Sequence, residues 1–278
     1  MSRPPAPQAS GALGIRSPRV KAARQLAKKA FRERGRCFLA EGPQAVREAL
    51  AAPGVLTELF VTAPGSARHP EIVQQAAARG VPVHEVGGEV MAELAQTITP
   101  QGLLGVCQFV DVPLGRLTGG RPDLVAVLAN VRDPGNAGTV LRTADAAGAD
   151  GVIFAAASVD PYNSKCVRSS AGSLFHLPVV SGVPLTEAIA ELRSAGLRVL
   201  AADGSATTFL DAAGGPDLGQ PTAWLFGNEA WGLPADLLAL ADDVVAVPIY
   251  GRAESLNLAA AAAVCLYASA RQLRLAPR

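Results

Sequence analysis

Leu124-Val-Ala-Val-Leu-Ala129 is six apolar residues without a break. Such a run fits a strand covered on both faces, which occurs where helices pack on either side of a parallel sheet. Similar runs recur at 151–154, 177–180, 197–201, 223–226 and 244–247. Helix-favouring stretches separate most of them, at 137–147, 185–195 and 234–239. The alternation predicts an α/β domain with a mostly parallel sheet and helices on its faces. The uncharged, alanine-rich stretch 256–270 is too short to span a membrane and reads as a buried helix from near Ser255 to about Leu273, with Arg271 and Arg274 at its C-terminus.

The chain has 278 residues, enough for two domains. The first half carries shorter signals. A helix is expected over 17–34, with Ser17 as cap and Pro18 in the first turn. Strands follow at 38–40, 59–61, 81–86 and 102–110, with helices at 43–51 and 69–79. The expected organisation is a disordered basic tail over 1–16, a small α/β domain over 17–112, a linker over 113–122 and a second domain over 123–278. Residues 115–122 hold three glycines, a proline and two arginines, which marks the linker.

Net charge is +1, but its distribution is uneven. Residues 1–36 hold ten lysines and arginines against one acid, Glu33, so the arm is about +9 and the remainder −8. A dense basic arm on a mildly acidic body is a polyanion-binding pattern. Arg19, Lys21, Arg24, Lys28, Lys29 and Arg32 are its candidate contacts with RNA. Only 5% of residues are aromatic, which argues against a base-stacking platform for single strands and for folded RNA read by shape and phosphates. Cys37, Cys107, Cys166 and Cys265 are widely spaced, so neither a zinc site nor a disulfide framework is expected. No apolar segment follows the N-terminal arginines, and a cytoplasmic protein without a metal is expected.

Three segments carry chemistry. In the first, a buried strand ends at Asn130 and Arg132-Asp-Pro-Gly135 turns into a helix near Asn136, with Arg142 six residues further on. Ligands of parallel sheets bind at such strand ends, and the new helix offers unpaired N–H groups to an anion. The same residues also suit an ordinary turn. In the second, Trp224-Leu-Phe226 leads into Gly227-Asn-Glu229-Ala-Trp-Gly232. A carboxylate on a glycine-flanked loop is costly unless it binds something. In the third, Val247-Pro248-Ile249 ends a strand and Glu254-Ser255-Leu256-Asn257-Leu258 opens the last helix, with Ser255 expected as its cap. Asn257 suits a cap or a ligand contact equally. Gly-x-Gly-x-x-Gly and Gly-x-x-x-x-Gly-Lys-Ser/Thr are both missing, which disfavours a nucleotide-dependent oxidoreductase or a nucleotide-triphosphate enzyme.

Taken in order, these segments resemble the motifs of the SpoU (TrmH) family of RNA ribose 2′-O-methyltransferases. Asn130, Asn136 and Arg142 match motif one; Gly227, Glu229 and Gly232 match motif two; Ser255 and Asn257 match motif three. Lys165 through Pro178 looks like the family's connecting segment, and residues 17–110 resemble, more loosely, its ribosomal-protein-like substrate-binding domain. The resemblance implies a sheet tied into a trefoil knot, one of the rare exceptions to un-knotted connections. It implies S-adenosylmethionine held near Leu225, Gly227, Val247, Ile249 and Leu256, and a homodimer paired through the knots to complete each active site. It places Arg142, Asn136, Glu229, Ser255 and Asn257 in catalysis, with Arg132 on the RNA.

None of His69, His84 and His176 falls in the three segments, so the usual side chain for proton transfer near neutral pH is missing there. A guanidinium stays protonated, so the expected role of Arg142 is electrostatic: it binds the adjacent phosphate and stabilises the developing alkoxide. Glu229 and Asn136 are expected to orient it, and Ser255 and Asn257 to position ribose or cofactor. The substrate expected first is 23S-type ribosomal RNA. Transfer RNA, or a non-catalytic RNA-binding role on the same fold, are the alternatives.

Overall fold

The computed structural model describes residues 11–212 and 215–275. The chain forms two compact units that divide between Gln108 and Phe109. Most of the expected tail over 1–16 lies outside the described residues. Within it, Leu13 pairs with Val86, its N–H donating to the Glu85 carbonyl at 2.8 Å, so this part of the tail is an ordered bridge.

The first unit runs α1 (Pro18–Gln25), α2 (Lys29–Gly35), β1 (Cys37–Glu41), α3 (Pro43–Ala51), β2 (Leu56–Val61), α4 (Ala63–Arg68), α5 (Pro70–Ala78), β3 (Val83–Glu85), α6 (Gly88–Leu94) and β4 (Leu103–Gln108). Its sheet has the order β1-β4-β2-β3, with β4 antiparallel to both neighbours. Val20 and Ala23 of α1 and Val90, Met91 and Leu94 of α6 share a core with Leu39, Phe60 and Leu104. The helix expected over 17–34 is two helices. The chain breaks at Leu26–Lys28, where the Arg32 Nη1 turns back and donates to the Leu26 and Ala27 carbonyls at 2.8 and 2.9 Å. Arg32 is only 5% exposed. Its charge therefore serves the break, because a buried guanidinium must spend its donors on nearby acceptors.

The second unit runs α7 (Leu114–Thr118), β5 (Leu124–Leu128), α8 (Pro134–Ala147), β6 (Gly151–Ala155), α9 (Ser164–Ser169), a 3-10 turn (Ser173–Phe175), β7 (Val179–Val183), α10 (Leu185–Ser194), β8 (Arg198–Ala202), β9 (Thr208–Phe209), β10 (Thr222–Phe226), α11 (Ala235–Leu238), β11 (Asp243–Ala246) and α12 (Leu258–Leu275). The stretch expected as a linker holds α7, whose Leu114 and Leu117 are buried in this unit's core. The sheet order is β7-β6-β5-β10-β8-β11-β9, and every pair among the described residues is parallel. β5, β6 and β10 are buried at every position, as their unbroken apolar runs require.

Two features place the site. β10 lies beside β5 with Phe226 opposite Leu128, so the loops after both strands leave the same edge of the sheet. After β11 the chain returns as α12 over α8, β10 and β5. Buried Trp224 donates its indole N–H to Ser269 of α12 at 2.9 Å. Arg274 does not cap its own helix; its Nη2 donates to the Ala147 carbonyl at the end of α8, at 3.0 Å.

Replacing Arg32 with alanine leaves the Leu26 and Ala27 carbonyls without that donor and should cost the first unit about 1–3 kcal/mol. Chemical denaturation should show the loss in Arg32→Ala and none in Lys28→Ala, since Lys28 is exposed.

Candidate active site

The site is built on a turn between β5 and α8. Asn130 takes a left-handed conformation, φ 64°, which asparagine tolerates better than most residues. Its Oδ1 accepts from Arg132 Nε at 2.9 Å, and its carbonyl accepts from Asn228 Nδ2 at 3.1 Å. Asp133 then caps α8: its Oδ1 accepts from the Asn136 N–H at 2.8 Å, with Pro134 in the first turn, where no N–H is needed. Lys165 Nζ stands 2.7 Å from the other oxygen of Asp133. That hydrogen bond, together with the Asn136 N–H, holds the Asp133 carboxyl below the usual carboxylate range.

The loop after β10 closes on itself. Asn228 and Gly232 exchange backbone hydrogen bonds at 2.8 and 2.9 Å, and Asn228 Oδ1 accepts from the Ala230 N–H. Gly232 has φ 68°, and a Cβ on Gly227 would lie 2.5 Å from the Gly232 carbonyl carbon. Glycine is required at both positions for this tight turn. Glu229 is thereby aimed at the first loop. Its carboxylate accepts from the Arg132 N–H at 3.2 Å, the Asp133 N–H at 3.0 Å and Asn136 Nδ2 at 3.3 Å.

The third segment joins through Asn257. Its Oδ1 caps α12 by accepting from the Ala259 N–H at 2.9 Å, and its Nδ2 donates to Asn136 Oδ1 at 3.1 Å. Asn257 is both cap and site residue. The expected cap, Ser255, is exposed and makes no hydrogen bond among the described residues. A continuous chain therefore runs Glu229–Asn136–Asn257 across all three segments.

Arg142 stands apart. It lies six residues beyond Asn136 on α8, roughly 9 Å along the axis, and is exposed. Among the described residues no hydrogen bond or ion pair is made by its side chain, and Glu229 and Asn136 bond each other.

The expected cofactor residues divide. Ile249 and Leu256 are apolar yet 38% and 39% exposed, and Val247 is half-buried. Among the described residues no hydrogen bond engages the backbone N–H groups of residues 249–256. Exposed apolar walls beside free backbone donors suit a flat heterocycle such as adenine. The Leu225 side chain is fully buried, in the core with Val127 and Val199, one residue before the end of β10. Gly227 serves turn packing.

Of the expected RNA contacts, Arg19, Arg24 and Lys29 pair with Glu58, Glu93 and Glu33 on the surface, Lys21 and Lys28 are exposed without an ion pair among the described residues, and Arg32 is structural. Arg132 is exposed beside Glu229. Asn228, Asp133 and Lys165 also hold the site. The Asp-Pro pair ahead of Asn136 is a readable helix cap. Lys165 opens the segment that resembles the family's connecting segment, but nothing local says that it reaches Asp133, 32 residues away.

Polar side chains gathered at adjoining carboxyl ends of a parallel sheet mark a place where such folds bind ligands. The chain belongs to the SpoU rRNA Methylase family, whose description matches residues 123–267. Residues 17–105 match the MRM3-like substrate binding domain. The 23S rRNA (guanosine(2553)-2′-O)-methyltransferase RlmP of Bacillus subtilis is 35% identical over 251 residues, 90% of this chain and 94% of that one. An AdoMet-bound rRNA methyltransferase from Sinorhizobium meliloti superposes with a TM-score of 0.80 at 32% identity, covering 94% of this chain and 97% of that one. The SpoU methyltransferase AviRb of Streptomyces viridochromogenes, in complex with AdoMet, gives 0.79 at 29% identity, covering 94% and 100%.

Glu229→Gln puts an amide N–H₂ where the turn needs acceptors. The Arg132 and Asp133 amides should then exchange with deuterium about tenfold faster, since hydrogen bonds to a charged group contribute about 1.5–3 kcal/mol and exposure reduces that. Exchange rates equal to wild type would show that Glu229 does not hold this loop.

Proposed function

We propose that the protein transfers a methyl group from S-adenosylmethionine to a ribose 2′-OH of ribosomal RNA. The observation that carries this reading is the Glu229–Asn136–Asn257 chain, which joins the three motifs at the ends of β5 and β10. The relatives' described activities and the AdoMet in two structural neighbours support it.

Ile249 and Leu256, with the backbone around Val247, would hold the cofactor. When bound, it supplies an electrophilic methyl on a positively charged sulfur. The chain's own residues then position the hydroxyl and favour loss of its proton. Glu229 keeps the 132–136 turn closed, so the Asn136 and Asn257 side chains stay fixed at the strand ends. Arg132, exposed and bonded through Nε to Asn130, would offer its remaining N–H groups to a phosphate. Ser255 stands exposed in the same segment as Asn257 and would meet ribose or cofactor.

Arg142 would stabilise the developing alkoxide from a second subunit. Its distance from the Asn136 cluster and its exposure support a site completed by pairing. α12 supports the pairing with an exposed apolar stripe: Ala260, Val264 (42% exposed) and Tyr267 (50%) recur at helical spacing. The expected trefoil knot would arise where the chain returns from β11 to α12. No helix among the described residues is long and apolar enough to cross a membrane. Cys107, Cys166 and Cys265 are free and buried, and burial pushes the Cys265 thiol up to about 12. Lys21 and Lys28 would serve RNA phosphates, and the salt dependence of RNA binding reads them.

Methyl transfer from labelled S-adenosylmethionine to unmodified ribosomal RNA tests the reading. Arg142→Ala should lower the rate on the order of 10²–10³-fold with cofactor affinity retained. An equal loss of cofactor affinity would make Arg142 structural. Label on transfer RNA alone would overturn the substrate.

A further inference from the structure

The 132–136 turn is gripped from two sides. Glu229 holds the backbone N–H groups of Arg132 and Asp133. On the other side, Lys165 bonds the Asp133 carboxylate. Two carboxylates thus converge on one short turn, and like charges so close repel unless a cation is held beside them. Among the described residues the cation bonded to Asp133 is Lys165.

The lysine is not there by chance of a flexible stem. Asn163 Oδ1 caps α9 by accepting from the Lys165 N–H at 2.9 Å. α9 in turn is seated on the first turns of α8. Gly138 has no side chain, and a Cβ there would stand 2.0 Å from Ser169 Oγ and 2.3 Å from the Cys166 carbonyl oxygen. Ser169 Oγ donates to the Lys165 carbonyl at 2.8 Å and lies 3.3 Å from the Pro134 carbonyl oxygen. A Cβ on Gly135 would meet Lys165 Cε at 2.9 Å, so the lysine stem lies directly against the turn.

We propose that Lys165 is a positioning residue for methyl transfer: acting through Asp133, it fixes the first turn of α8 and so the Asn136 side chain that links Glu229 to Asn257. The proposal rests on the methyltransferase reading. Lys165 fixes the turn from a helix outside all three motifs. It acts on the geometry of the reacting groups and not on the affinity of the RNA.

The test is single-turnover methyl transfer to ribosomal RNA at saturating cofactor by Lys165→Met, Asp133→Asn and the double variant, each checked for cofactor binding. Misplacing a positioning group by about an ångström costs on the order of 10²-fold. Lys165→Met should therefore lower the rate about 10- to 100-fold. The RNA concentration for half-maximal rate should stay within about twofold of wild type, and the salt slope of RNA binding should not change. In the Asp133→Asn background the Lys165 substitution should add almost nothing, since the two act as one unit. Lys165→Arg, which keeps the charge, should recover part of the rate and guards against a folding failure in Lys165→Met. Three results would overturn the proposal: additive losses in the double variant, a weaker RNA affinity with a slope flatter by about one, as for a phosphate contact, or a Lys165→Met rate equal to wild type. An inactive wild type would instead sink the methyltransferase reading and leave the role of Lys165 in the turn to be read from amide exchange at Asn136.

Discussion

The Glu229 carboxylate accepts three N–H groups from a loop that follows a different strand. Everything at the strand ends depends on that clamp. A turn such as Arg132–Asn136 has backbone donors that no ladder uses, and they must be satisfied by something. A neutral side chain could satisfy one of them. A carboxylate satisfies two and still accepts from Asn136, which leaves Asn136 Oδ1 turned toward Asn257. The charge itself is tolerated because its partners are donors on a partly solvated edge.

The sheet order makes the clamp available. β10 enters beside β5, although nearly a hundred residues separate them, and both loops then open on the same edge. α12 carries the third segment back over the same two strands, held by the Trp224–Ser269 hydrogen bond. Glycines let the parts approach: Gly227 admits the Gly232 backbone, and Gly138 admits α9. The site is a set of loops pinned by side chains from elsewhere in the fold, which gives it rigidity without a metal or a disulfide among the described residues.

Much of this was legible in the sequence, for reasons that differ by element. The unbroken apolar runs at 124–129 and 223–226 gave β5 and β10, because strands buried on both faces have no polar alternation to obscure them. The α3 helix was readable from Pro43 to Ala51, with Pro at its start and Pro53-Gly54 beyond its end. The motif residues Asn136, Glu229 and Asn257 were named, and the structure brings them together. Their bonds to one another were not legible, since nothing local says that Glu229 faces the 132–136 turn. Arg32 reads in the sequence as one more base of a run whose other lysines and arginines are exposed, while its burial depends on a break between α1 and α2. Ser255 and Asn257 were both plausible caps two residues apart, a distinction that local propensity does not make. The pairing of Lys165 with Asp133 left no local signal, as an ion pair across 32 residues leaves no pattern in either segment.

The measurement that bears most directly on the account is single-turnover methyl transfer to ribosomal RNA by Asn136→Asp. This change preserves shape but replaces the Nδ2 donor with an oxygen facing the Glu229 carboxylate. The account predicts a rate lower by on the order of 10²-fold with S-adenosylmethionine still bound, because the link between the three motifs is cut at its middle. A rate equal to wild type would contradict it, and would show that the Glu229–Asn136–Asn257 chain is not what organises the site.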